Sequence, residues 1–113
     1  MAFSFFIVNE DTAKFAYIWE YVVKGDQLDQ FCSVYGPQGD WAQLFSRASG
    51  YLGTELHRDL DEPNHFLTID YWVSREARDH FRDQFAAEFE ALDQACEALS
   101  IEERFIGDFE LSV

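Results

Sequence analysis

The sequence predicts an α+β domain in which helices cover one face of a four-stranded antiparallel sheet. Three observations lead there. The residue patterns run strand, helix, strand, strand, helix, strand, which is the βαββαβ order of the ferredoxin-like plan. Phe15 to Val23 reads as a strand that is apolar on both faces: Phe15, Tyr17, Trp19, Tyr21 and Val23 alternate with Ala16, Ile18, Glu20 and Val22. A strand with one wet face alternates apolar and polar residues, so both sides of this one need cover. Helices supply one cover, and a second copy of the sheet is the other candidate. Finally, Ala77, Phe81, Phe85, Phe89, Leu92, Cys96 and Leu99 keep one helical face apolar for about six turns at 3.6 residues per turn.

Residues 1–14 include the apolar run Phe3 to Val8 and are assigned to an N-terminal arm or an extra strand; residues 15–113 form the domain. Lys24-Gly25-Asp26 stops the first strand. A helix follows with Leu28, Phe31, Cys32 and Tyr35 at helical spacing. Gly36-Pro37 ends it, and Asp40 is placed as the N-cap of a short helix carrying Trp41, Leu44 and Phe45. Tyr51 to Leu60 and His65 to Trp72 are strands joined by a turn at Asp61-Glu62-Pro63-Asn64. With that turn setting the register, Leu56 opposes Ile69. Leu52, Leu56, Leu60, Leu67, Ile69 and Tyr71 then face the helices, and Tyr51, Glu55, His57, Phe66, Thr68, Asp70 and Trp72 face away. A slip of one residue exchanges the two sets. Ser74 caps the long helix. The last strand spans about Glu103 to Leu111, with Phe105, Gly107, Phe109 and Leu111 on one face.

The chain has 113 residues, with 22 acids against 8 bases and a formal net charge of −14. Nothing offers the basic stripe that nucleic acid requires, and an anionic membrane surface is disfavoured for the same reason. No stretch reaches transmembrane length, and no secretory leader is recognised at Met1 to Val8. A cytoplasmic location is expected. Cys32 and Cys96 are read as small buried hydrophobes in a reducing compartment.

Phosphate-loop, Cys-x-x-Cys, His-Glu-x-x-His and Gly-x-Ser-x-Gly patterns are all missing from the sequence, so no cofactor and no metal is expected. Glu76 and His80 have metal-ligand spacing, although a solvated helix pair accounts for them. Glu20 and Asp70 each fall in the middle of an apolar strand. A buried carboxylate needs a partner or a proton, and Arg58, His57, Thr68 and Tyr17 are the partners considered. Either acid can be a general base with a raised pKa or one arm of a structural ion pair. His57 is the rival proton carrier. Trp19, Tyr71 and Trp72 are assigned as walls of a pocket for an aromatic ligand.

Tyr17-Ile18-Trp19-Glu20-Tyr21 and Tyr35-Gly36-Pro37-Gln38-Gly39-Asp40-Trp41-Ala42-Gln43-Leu44-Phe45 resemble the antibiotic biosynthesis monooxygenase-like family. So do Gly50-Tyr51-Leu52-Gly53-Thr54-Glu55-Leu56 and Tyr71-Trp72-Val73-Ser74-Arg75-Glu76-Ala77. The resemblance implies a homodimeric α+β barrel whose two sheets pack face to face. It also implies, for some members, cofactor-independent oxidation of quinol-like aromatics, and for others haem degradation. The haem-degrading branch pairs an Asn on the first strand with a Trp on the third and a His on the long helix. This chain has Trp72 and His80 but no Asn on the first strand, which argues against that branch. The expected function is therefore oxidation of a hydrophobic aromatic or polyketide-like molecule, with Glu20, Asp70 and His57 handling protons. The alternative is a ligand-binding or interaction dimer without catalysis.

Overall fold

The computed structural model describes residues 15–112. The arm or extra strand expected at residues 1–14 lies outside them. Four strands, β1 (Phe15–Val23), β2 (Tyr51–Arg58), β3 (His65–Trp72) and β4 (Ser100–Glu110), form one sheet. The order is β2-β3-β1-β4, and every neighbouring pair is antiparallel. Helices α1 (Leu28–Tyr35) and α2 (Asp40–Phe45) fill the first crossover, and α3 (Arg75–Gln84) and α4 (Ala86–Cys96) fill the second. This is the ferredoxin-like βαββαβ fold that the order of patterns predicts.

The first strand is apolar on both sides, and its aromatic side is the one the helices cover. Phe15, Tyr17, Tyr21 and Val23 are buried with Phe31, Phe45, Phe81 and Leu99 in a single core. Across the strand pair, Phe15 lies beside Trp72, Tyr17 beside Asp70, Trp19 beside Thr68 and Tyr21 beside Phe66. Paired residues share a face, so β3 presents Phe66, Thr68, Asp70 and Trp72 to the helices, and all four are buried. Leu67, Ile69 and Tyr71 lie on the open face. This reverses the face assignment for β3, while on β2 Leu56 packs on the core and Glu55 and His57 face away as expected. In the hairpin Leu56 opposes Thr68 and Glu55 opposes Ile69, one residue away from the expected register. The cause is at Asp59, whose Oδ1 accepts hydrogen bonds from the backbone N–H groups of Asp61 and Glu62. That turn starts the loop earlier, ends β2 at Arg58 and leaves Leu60 almost fully exposed.

Among the described residues three register shifts refine the sheet; one, where Val22 pairs with Glu102 and Val23 with Ser100, lies at the start of β4, and the other two change which residues face the helices. Tyr51 pairs with Trp72 and Gly53 with Tyr71, so one extra residue is inserted in β2, and Tyr51 and Thr54 come to share the helix-side face. In β4, Trp19 pairs with Phe105 and Ile18 with Gly107, skipping Ile106. Phe105 therefore joins the helix side, while Gly107 and Phe109 stay on the open side, which splits the face expected for this strand. Gly53 (φ 153°) and Gly107 (φ 157°) hold backbone angles that a Cβ disfavours.

Ser74 caps α3 as expected, with its Oγ accepting from the Ala77 N–H at 3.0 Å. Asp40 is the first residue of α2 and Gly39 occupies the cap position. The long helix breaks at Phe85 (φ −111°, ψ 30°). The reason lies in its own stripe: Ala77, Phe81, Phe85 and Phe89 are four apart, and each such step overshoots a full turn by about 40°. The non-helical residue at Phe85 resets the phase, so that Phe81, Phe85, Cys96 and Leu99 all reach the core. Cys96 is buried as expected. Cys32 is exposed, against expectation, because α1 turns Phe31, Val34 and Tyr35 inward instead.

Candidate functional site

Between the helix-side face of the sheet and the helices lies a cavity of about 540 Å³. Its walls are aromatic, including Tyr17, Trp19, Tyr21, Trp41, Phe89 and Phe105. Its buried end carries Thr54, Thr68 and Asp70, and exposed Arg82 and Glu103 mark the outer end.

Asp70 is 5 % exposed. Thr54 Oγ1 donates to its Oδ1 at 2.6 Å. Loss of solvent pushes the Asp70 carboxyl up to about 7, against the downward pull of that hydrogen bond. Such an acid is half ionised near neutral pH and can both take and return a proton. Tyr17 lies beside Asp70 in the β1–β3 register. Its hydroxyl accepts from Arg82 Nη1 at 3.2 Å. The Arg82 guanidinium also lies 4.3 Å from the Phe89 ring centre and forms no ion pair among the described residues. Arg78 differs. It is buried, its two terminal nitrogens bind Asp108 at 3.1 and 3.0 Å, and its guanidinium lies 4.4 Å from the Tyr17 ring centre. Its charge is spent on holding β4 to α3.

Of the residues assigned from sequence, only Asp70 and Trp19 line this cavity. Glu20 is on the open face. His65 Nε2 lies 2.6 Å from Glu20 Oε2, and Arg104 Nε donates to Oε1 at 2.8 Å. The hydrogen bonds from His65, and then Arg104, hold its carboxyl below the ordinary value. Of the two readings of Glu20, a base of raised pKa or one arm of a structural ion pair, its surroundings are those of the ion pair. Asp59, on the other ring nitrogen of His65, and Glu20 together raise the imidazole's pKa. His57 is exposed and its Nε2 lies 2.9 Å from Glu55 Oε1. Tyr71, also on the open face, donates to Glu55 at 3.2 Å. Trp72 is fully buried beneath Phe45, Tyr51 and Phe81. Neither carboxylate's full set of partners follows from its local sequence. Asp70 uses Thr54, which the one-residue shift of the hairpin register brings opposite it, and Glu20 uses two residues 45 and 84 positions away. Arg82 was missed as well; its only sequence signal is a position one helical turn from Arg78. Among the described residues, no three His, Cys, Asp or Glu side chains converge as a metal site, and Glu76 with His80 gains no third ligand.

Residues 15–91 match the sequence profile of the antibiotic biosynthesis monooxygenase family. The chain belongs to this family. Its fold is similar to SnoaB, a cofactor-independent oxygenase from Streptomyces nogalater. One structure of SnoaB, a point mutant, has 25 % identity and a TM-score of 0.71, covering 86 % of this chain and 91 % of that one. A second SnoaB structure has 24 % identity and a TM-score of 0.73, with 89 % and 95 % covered. PA3566 from Pseudomonas aeruginosa shares the fold at 14 % identity and a TM-score of 0.64, with 91 % and 98 % covered. No curated protein sequence matches the chain. Among the described residues no helix is long and apolar enough to cross a membrane. The family match stops inside α4, so β4 and its cavity residues Glu103, Phe105 and Asp108 lie beyond it.

Proposed function

We propose that the cavity binds a hydrophobic phenolic molecule and that Asp70 ionises it for direct reaction with oxygen, without a bound cofactor. The observation that carries this reading is the buried carboxyl of Asp70 at the inner end of an aromatic cavity, ionising near neutral pH. The proton of a phenol O–H passes to Asp70. The phenolate is electron-rich at its para carbon and reduces oxygen there, forming a carbon–oxygen bond to a hydroperoxide. Loss of water, with the proton returned, leaves a quinone. The balance is one phenol plus O₂ giving one quinone plus H₂O. Arg82, with the Tyr17 hydroxyl, is suited to hold the negative charge as it develops. The likeness to SnoaB supports the reaction class.

The test is oxygen uptake with a panel of polyphenols. Asp70 must be ionised to act, so the rate is expected to rise with pH through about 7. Asp70→Asn keeps the shape, removes the base and is expected to lower the rate by roughly 10²-fold or more. Glu20→Gln and His57→Gln, outside the cavity, are expected to leave it within about threefold. Binding of the panel without any oxygen uptake in the unsubstituted protein would instead support a ligand-binding dimer.

We also propose that a second copy packs on the open face of the sheet. Ile18, Leu67, Ile69 and Phe109 lie there, and Phe109 is 47 % exposed. The aromatic side of β1 is covered by the chain's own helices, so it is the opposite side that seeks a partner. Light scattering after gel filtration is expected to give twice the chain mass of 13.2 kDa at micromolar concentration. A single 13.2 kDa species would overturn this.

A further inference from the structure

Asp70 is met by a hydroxyl, and that hydroxyl is met by another. Thr54 Oγ1 donates to Asp70 Oδ1 at 2.6 Å, and Tyr51 Oη lies 2.6 Å from the same Thr54 oxygen. A threonine hydroxyl has one proton. Since Thr54 spends it on Asp70, Tyr51 must be the donor in the second bond. The series therefore runs one way, Tyr51 to Thr54 to Asp70. Among the described residues Oδ2 of Asp70 accepts no hydrogen bond, and Asp70 lines the cavity.

We propose that Thr54 and Tyr51 are positioning residues for Asp70: their hydroxyls, donating in series, anchor Oδ1 and leave Oδ2 as the oxygen that takes the substrate proton. The assignment rests on Asp70 being the base of the proposed oxidation, but its first test needs no turnover. In the step itself the phenolic proton moves to Oδ2, while Thr54 continues to donate to Oδ1 in either charge state.

The anchor opposes burial. Desolvation raises the Asp70 carboxyl and the Thr54 hydrogen bond draws it down, with the result near 7. Without the hydroxyl the acid would keep its proton at neutral pH and could not act as a base. Tyr51 is suited to the outer place in the series. Its own hydroxyl is pushed above the ordinary tyrosine value, chiefly by burial, so it stays neutral and retains the proton it donates. Its ring is fixed edge-on to Trp72, with centres 5.3 Å apart, and against Phe45 at 5.6 Å. The arrangement depends on the β2 bulge. In a regular strand, residues three apart point to opposite faces; the extra residue at Tyr51 to Gly53 puts Tyr51 and Thr54 on one face, opposite Trp72 and Asp70. The Gly-Tyr-Leu-Gly-Thr run is thus explained as a device that delivers two hydroxyls to one carboxylate.

The test is a carbon-13 NMR titration of aspartate carboxyl groups, with the Asp70 signal identified by its loss in Asp70→Asn. Thr54→Val removes the donor at equal volume, and is expected to raise the proton affinity of Asp70 by about tenfold or more, the value of a hydrogen bond to a charged group. Tyr51→Phe keeps the Thr54 donor but unpolarises it, with an expected rise of about threefold. Thr54→Ser restores the hydroxyl and is expected to titrate within about twofold of the unsubstituted protein. In oxygen uptake, the pH midpoint is expected to move upward in the same order. A folded Thr54→Val whose Asp70 titrates unchanged would overturn the inference, even if the protein oxidises phenols. Should Thr54→Val not fold, an unchanged titration in Tyr51→Phe would overturn it equally. If the titrations move as expected and no phenol consumes oxygen, the hydroxyl series stands and the oxidation reading falls.

Discussion

Phe81→Ala is expected to destabilise the fold by about 3–5 kcal/mol. Phe81 is completely buried. Its ring meets Phe45 edge-on with centres 5.2 Å apart, tilts over Trp72 at 5.4 Å and stacks on Phe85 at 5.4 Å. Those three neighbours come from α2, from β3 and from the helix break. Each is a large ring already packed against the sheet or its neighbours, so the site has little freedom to collapse into the space left. Urea melts of the two proteins measure the difference. A loss under 1 kcal/mol would mean that the apolar stripe of α3 has been assigned to the wrong side.

Asp70→Asn is expected to have the opposite sign at alkaline pH. Burial raises this carboxyl to about 7, whereas in the unfolded chain it titrates near 4. The folded state therefore favours the protonated form. The stability this group contributes is fully present below pH ~4, is lost as pH climbs through about 7, and is then constant. Asparagine is neutral throughout and suffers no such loss. The variant should match the parent near pH 4 and exceed it at pH 8 by up to about 4 kcal/mol, from a pKa difference of about three. Urea melts at the two pH values give the comparison, and every other titrating group cancels between the two proteins. An equal difference at both pH values would show that Asp70 is not held as a neutral acid. Together with the expected fall in oxygen uptake, the result would make Asp70 a residue that the fold tolerates for its reactivity.

Much of this was legible in the residues. The limits of β1 and β3 follow from the sequence, because Lys24-Gly25-Asp26 and Asn64 bound them with residues that strands disfavour. Ser74 announced the N-terminus of α3. What the sequence concealed follows from one-residue effects. Asp59 looks like the last polar residue of a strand, yet its carboxylate caps the loop and shifts the hairpin register by one. That shift decides which residues of β3 share a face with Leu56 and so meet the helices. Glu20 and Asp70 illustrate the result. Both are acids in apolar strands, and nothing local distinguishes them. Only the face decides, so one is drawn into an ion pair with His65 and Arg104 while the other is sealed among aromatic rings. Bulges at Gly53 and Gly107 were equally hidden, since an isolated glycine in a strand marks a bulge without saying which neighbours change face.

The alternation along β3 has an evolutionary consequence. Thr68, Asp70 and Trp72 meet the core and the cavity, while Leu67, Ile69 and Tyr71 meet whatever lies across the sheet. Substitutions at one set leave the other untouched, so reactivity and surface partnership can drift independently along a single stretch of eight residues. A length change is another matter. One codon gained at the start of this strand, with the pairing otherwise kept and no bulge to absorb it, would transpose the two sets, bringing Asp70 to the outside and Ile69 to its place. Variation in relatives of this chain should accordingly accumulate in β3 as replacements, with insertions and deletions confined to the loop of residues 59–64.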